Sequence, residues 1–92
     1  MTNSEFDTIE SKHKEFAIAR GSDKTYCPSE VARQLFPENW RDKMDAVRAV
    51  ADELCKDGKL IVSRFGKDLD ILPSKVKGHI RLRRGPNFKD DS

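Results

Sequence analysis

Residues 25–54 read TYCPSEVARQLFPENWRDKMDAVRAVADEL, and the break around Pro37 decides the fold. Pro28 suits the first position of a helix, where a missing N–H costs nothing, and Glu30 meets the positive end of the helix dipole. Val31, Ala32, Leu35 and Phe36 share one face of that helix. Pro37 ends it by excluding the helical conformation for the residue before. Asn39 is placed to cap a longer successor, about Trp40 to Lys56, in which Trp40, Met44, Val47, Val50, Ala51, Leu54 and Cys55 fall within one arc of the helical wheel. Gly58 is its stop. A short helix, a tight corner and a longer helix make a helix-turn-helix pair.

Outward from that pair, Phe6, Ile9, Phe16 and Ala17 recur at helical spacing between Ser4 and Arg20, with Gly21 as the stop. His13 lies on the same stripe and reads as a partly buried core residue, because no second catalytic group stands near it. GSDKTYC is a loop or a very short extended stretch. After Gly58, KLIVSRFGKDLDIL has the β-branched content of a strand, a turn at Gly66 and a second extended piece. PSKVKG is a further turn, and HIRLRR alternates Ile80 and Leu82 with Arg81 and Arg83 as a strand with one buried and one basic face. The order is that of an α+β winged helix, a three-helix core with a small antiparallel β wing. Its expected core is Phe6, Ile9, Phe16, Val31, Leu35, Trp40, Met44, Val47, Leu54, Leu60 and Ile80, with Trp40 as the anchor of the corner.

Ninety-two residues fit a single domain over 1–85, followed by a flexible tail at 86–92. At this size folding buries roughly 60 to 65% of the surface the unfolded chain exposes, so the core is small. The chain is 36% apolar and 37% charged, as in a globular protein with a well-charged surface. No stretch approaches a membrane span, and MTNSEFDTIESKHK carries acids where a leader needs basic and then apolar residues, so the expected compartment is the cytoplasm. Cys27 and Cys55 are then free structural thiols, without the paired spacing of a zinc site. No metal and no cofactor is expected.

The formal net charge of +2 hides an asymmetry. Residues 1–58 hold nine Lys/Arg against twelve Asp/Glu, whereas residues 59–89 hold nine Lys/Arg against Asp68 and Asp70. A basic C-terminal third is suited to polyanions, although a salt-paired surface gives the same tally.

The stretch ARGSDKTYCPSEVARQLFPENWRDKMDAVRAVADELCKDGKLIV resembles a bacterial family classified as a domain of unknown function. The shared pattern is Ala19, Arg20 and Gly21; Cys27 through Arg33; Trp40 and Arg41; Met44; Val47 and Arg48; and Gly58. The resemblance implies a small winged helix and brings no activity with it. The chain departs from the pattern in the wing and last strand, where His79 replaces a proline and Phe65 stands in place of a polar or basic residue.

CPSEVAR places a thiol, a hydroxyl, a carboxylate and a guanidinium within seven residues, but helix initiation and packing account for it. Glu30 and Arg33 are placed to pair with Arg20 or Arg48. With no phosphate loop, metal signature or paired acid and base, an enzyme is not expected. A winged helix ordinarily binds DNA through its third helix and wing. Here that helix sets Arg41, Arg48 and Lys56 against Asp42, Asp45, Asp52 and Glu53. Arg48 either pairs with Asp45 and Asp52 along the helix or, with Arg41, reads a guanine edge. The expected nucleic-acid contacts are Arg41, Arg48, Arg64, Lys67, Arg81 and Arg83, dominated by the wing. The alternative is an adaptor whose basic face docks an acidic protein partner; the oligomeric state is left open.

Overall fold

Spacing of three and four residues brings Ile9, His13 and Ala17 onto the buried face of α1 (Asn3–Arg20), with Phe6 and Phe16 partly buried beside them. They are seen in a computed structural model, which describes residues 3–21 and 23–89. Gly21, at φ 78°, ends the helix, its N–H donating to Ala17 O at 3.2 Å. The second helix, α2 (Pro28–Leu35), starts at the expected proline, and the Cys27 N–H donates to Glu30 Oε2 at 2.7 Å, the carboxylate half of a capping box.

After Pro37 the chain departs from expectation. Asn39 holds the cap position but its side chain makes no capping bond, and residues Trp40–Lys43 form a 3₁₀ turn before α3 (Met44–Lys56) begins. An uncapped first turn satisfies its amides by tightening to i→i+3 bonds, as the Asp42 N–H does with Asn39 O at 3.1 Å. With three residues per turn, Trp40 falls out of phase with the α-helical arc. It is therefore half-buried against the core, not enclosed within it. Gly58, at φ 73°, closes α3, with Lys59 N–H donating to Leu54 O at 2.8 Å and Gly58 N–H to Cys55 O at 3.0 Å, the paired bonds of a Schellman stop.

Strands β1 (Leu60–Arg64), β2 (Lys67–Asp68) and β3 (Arg81–Arg84) form an antiparallel sheet in the order β2-β1-β3, with Val62 opposite Leu82. The second extended piece is thus two residues long. Tyr26 adds an isolated bridge to the far side of Leu82, its N–H donating to Leu82 O at 2.9 Å and its carbonyl accepting from Leu82 N–H at 2.7 Å. Three helices with this small sheet are a winged-helix arrangement. Leu60, Val62, Ile80 and Leu82 close the core from the sheet side, over Val31, Val47 and Leu54.

After β3 the chain returns to the end of α3. Gly85 passes so close to Gly58 that a Cβ there would lie 2.3 Å from Gly58 O, and Asn87 donates to Gly58 O and Asp57 O, both at 2.9 Å. Phe88 packs on the core. The rest of the expected tail, 90–92, lies outside the described residues.

At the centre lies His13, fully buried, with Nε2 3.0 Å from Val47 O and Nδ1 2.9 Å from the Tyr26 hydroxyl. A carbonyl only accepts, so Nε2 carries the proton and Nδ1 accepts from Tyr26. Burial lowers the His13 pKa from 6.5 to about 4, and the Val47 carbonyl opposes that shift. The native state holds the neutral ring while the unfolded chain takes up a proton below pH 6.5, so stability is complete above that value and declines as pH falls toward about 4. Urea unfolding at pH 7 and pH 5 should differ by about 2 kcal/mol, and His13→Gln should remove most of that difference. An unchanged pH dependence in the variant would place its origin elsewhere.

Candidate nucleic-acid interface

The segment between β2 and β3 folds back over α3. Pro73 and Val76 are buried, and two side chains one helical turn apart on α3 hold the segment down. Arg48 donates through Nη1 to Val76 O at 2.7 Å and Pro73 O at 3.3 Å, and through Nη2 to Gly78 O at 2.6 Å. Asp52, buried, accepts from Ser74 N–H at 2.9 Å and from the Ser74 hydroxyl. Among the described residues Arg48 joins no intrahelical ion pair; its three bonds run to backbone carbonyls of the folded-back segment. Asp52 is likewise withdrawn from the exposed face. Both bind segments far along the chain, which helical periodicity does not register.

Three more expected contacts are held internally. Arg81 donates from Nε to Thr25 Oγ1 and from Nη1 to Cys27 Sγ, both at 2.9 Å, which ties β3 to the start of α2. Arg83 pairs with Asp68 through two bonds, and its guanidinium lowers the Asp68 pKa, chiefly by hydrogen bonding. Arg64 donates to Lys77 O at 3.0 Å. Arg84, too, donates from Nε to Ala17 O at 3.1 Å, at the end of α1. Three of the nine cations of the C-terminal third, Arg64, Arg81 and Arg84, thus donate to backbone carbonyls, which carry partial negative charge but no formal one.

The ion pair foreseen for Glu30 forms with Arg20, Nη2 standing 2.5 Å from Oε1, and Arg20 Nη1 also donates to Thr25 O at 2.9 Å. The Arg20 hydrogen bond is the main cause of a lowered Glu30 pKa, and burial opposes it. Arg33 carries the same charge as Arg20 and Arg48 and lies instead over an aromatic ring. Its guanidinium carbon lies 4.4 Å from the Trp40 ring centroid, and that of Arg41 lies 4.7 Å from the same centroid. Both guanidinium groups are thereby ordered by an aromatic ring without being neutralised.

Between this corner and the folded-back segment runs a groove of about 710 Å³. Cys27, Arg33, Trp40, Met44 and Arg48 line one side, and Lys75, Gly78 and His79 the other. Cys27, Arg33, Trp40, Met44 and Arg48 thus share one surface feature, whereas Val31, Ala32 and Val47 of the same stretch are buried in the core. Asp45 is the acidic residue in its lining. Arg41, Lys67, Lys75 and Lys77 are exposed. Beyond Lys77 the surface continues through Arg64 to the turn at Phe65, which is 88% exposed.

Among the described residues there is no group of three or more His, Cys, Asp or Glu side chains suited to holding a metal. Nor is any helix there long and apolar enough to cross a membrane. A family model described as a protein of unknown function (DUF3253) matches residues 7–85. No curated protein matches the chain.

Replacing Arg48 by Met keeps an aliphatic stem and removes the three bonds to the segment, so Arg48→Met should lower stability by about 2 kcal/mol. Limited trypsin digestion should then cut several-fold faster after Lys75 or Lys77. Equal digestion rates for parent and variant would mean that the segment is held without Arg48.

Proposed function

The chain belongs to the DUF3253 family, and from that starting point we propose that it is a nucleic-acid-binding winged helix of modest affinity and low sequence specificity. The supporting observation is the placement of five of the cations that, among the described residues, lack a side-chain bond to a carboxylate or carbonyl. Arg33 and Lys75 line the groove, Arg41 shares the Trp40 ring with Arg33, Lys77 is exposed two residues beyond Lys75 on the folded-back segment, and Lys67 is exposed in β2 at the wing. The face of α3 that ordinarily enters a major groove carries the Arg48 and Asp52 latch instead. Phosphate binding without base readout fits that division, since backbone contacts position a protein on nucleic acid and base edges specify sequence.

A second reading draws on the same covered helix face. A winged helix whose third helix is occupied is suited to an adaptor role, with the same cations docking an acidic protein partner. Salt dependence separates the two, because releasing condensed counterions makes nucleic-acid binding fall steeply with salt.

Anisotropy of a labelled random-sequence duplex, titrated at several salt concentrations, is the test. The expected outcome is binding at low salt with a steep logarithmic salt slope. Replacing Arg33, Lys67, Lys75 and Lys77 together by Gln should weaken binding and flatten the slope by about 0.9 for each phosphate no longer neutralised. Unchanged binding by the quadruple variant would remove these residues from the interface. Absence of binding to duplex or single strands at low salt would leave the adaptor reading.

A further inference from the structure

The β1–β2 turn is made by Phe65 and Gly66, at φ 52° and φ 78°. Two successive left-handed residues in a two-residue hairpin loop are the pattern that favours Asn-Gly, because Asn and Gly adopt that conformation readily and a bulky aromatic does not. The ring gains little packing in return, being 88% exposed. An unfavourable backbone conformation and an apolar ring in water therefore coincide at one residue, and burial within the domain offsets neither.

The surroundings define what the ring is suited to meet. Arg64, itself fixed on Lys77 O at 3.0 Å, holds its guanidinium carbon 5.1 Å from the ring centroid. Lys67 follows two residues later, exposed, and Lys77 is exposed beside Arg64. The nearby carboxylate of Asp68 is paired with Arg83. A protein partner is recognised by a contiguous apolar patch, which one ring among cations does not supply. A single nucleobase needs just one π-face, with cations near enough to take the adjoining phosphates.

We infer that the Phe65 wing tip stacks on an unpaired nucleobase, so that the preferred ligand is single-stranded or bulged nucleic acid over intact duplex. The inference rests on the proposed nucleic-acid function and narrows it to a substrate class. Phe65 is a contact residue here, and the left-handed turn serves to project it away from the domain.

The test compares the parent, Phe65→Asn and Phe65→Trp on three labelled probes of equal length: a duplex, the same duplex with a one-base bulge, and a single strand. Asn accepts the left-handed conformation, so Phe65→Asn should melt at the same temperature as the parent or higher. Its affinity for the bulged and single-stranded probes should fall on the order of tenfold, with duplex affinity unchanged, and Phe65→Trp should retain both. Equal affinities for parent and Phe65→Asn on every probe would overturn the inference while leaving the proposed function standing, and would be the result if the ring met a protein instead. A melting temperature lowered by several degrees in Phe65→Asn would also overturn it, by showing that the ring is kept for packing. If the parent binds none of the probes at low salt, the proposed function fails first and the inference with it.

Discussion

Tyr26 is joined to every layer of the domain. Its backbone pairs with Leu82 in β3, its ring stacks on Phe16 of α1 with centroids 5.6 Å apart, and its hydroxyl meets His13, whose other nitrogen reaches Val47 O on α3. A small core gains little from apolar area alone, so an arrangement in which one buried residue fixes helix, helix and sheet has a large effect on uniqueness. The polar members have partners, which makes the network permissible in an apolar interior. Each also constrains the others: the Val47 carbonyl sets the tautomer of His13, and the tautomer sets the direction of the Tyr26 hydrogen bond. Residues 25–27 are then fixed where Thr25 and Cys27 receive Arg81 and where Glu30 closes the cap of α2.

The same economy governs the basic residues. A count of charges makes the C-terminal third look like an electrostatic surface, but Arg64 and Arg84 there, like Arg48 on α3, clip backbone carbonyls, and Arg81 holds Thr25 and Cys27. The planar guanidinium is suited to that work, since it presents several donors in fixed directions and remains charged. The lysines, with a compact ammonium on a flexible stem, are left at the surface on the folded-back segment and wing. On the folded-back segment and wing the division between Arg and Lys therefore separates cations that build the domain from cations available to a polyanion, whereas at the corner Arg33 and Arg41, held over the Trp40 ring, remain available.

Much of the fold was legible because its signals are local. The period of α1 and α3, Pro28 and Glu30 at the start of α2, Pro37 at the corner and the glycine stops each act within a turn or two of the chain. Signals lost to a linear reading are those completed at a distance. Tyr26 looks like a loop residue until Leu82 and His13 are placed beside it, and Val76 looks like part of a turn until it is buried against α3. Trp40 departs from its expected place for a different reason: a helical wheel carries α-helical phase through a segment that is 3₁₀. For the candidate site, residue types were readable but their commitments were not. Arg48 and Arg33 carry the same side chain, and geometry alone shows that one is consumed by carbonyls and the other lies over an indole.

The bridge between Tyr26 and Leu82 also fixes an order of assembly. Helices and the capping box close through contacts nearby in sequence, which form quickly, whereas the bridge must wait for a strand near the opposite end of the chain. During synthesis, α1, α2 and α3 leave the ribosome with the Tyr26 backbone still unpaired. Arg81 and Arg84, which clip the end of α1 and the start of α2, arrive in that same final strand. Emergence of β3 is therefore the step that turns a set of tethered helices into a closed domain, and a nascent chain halted before it exposes the apolar surface that Ile80 and Leu82 would cover.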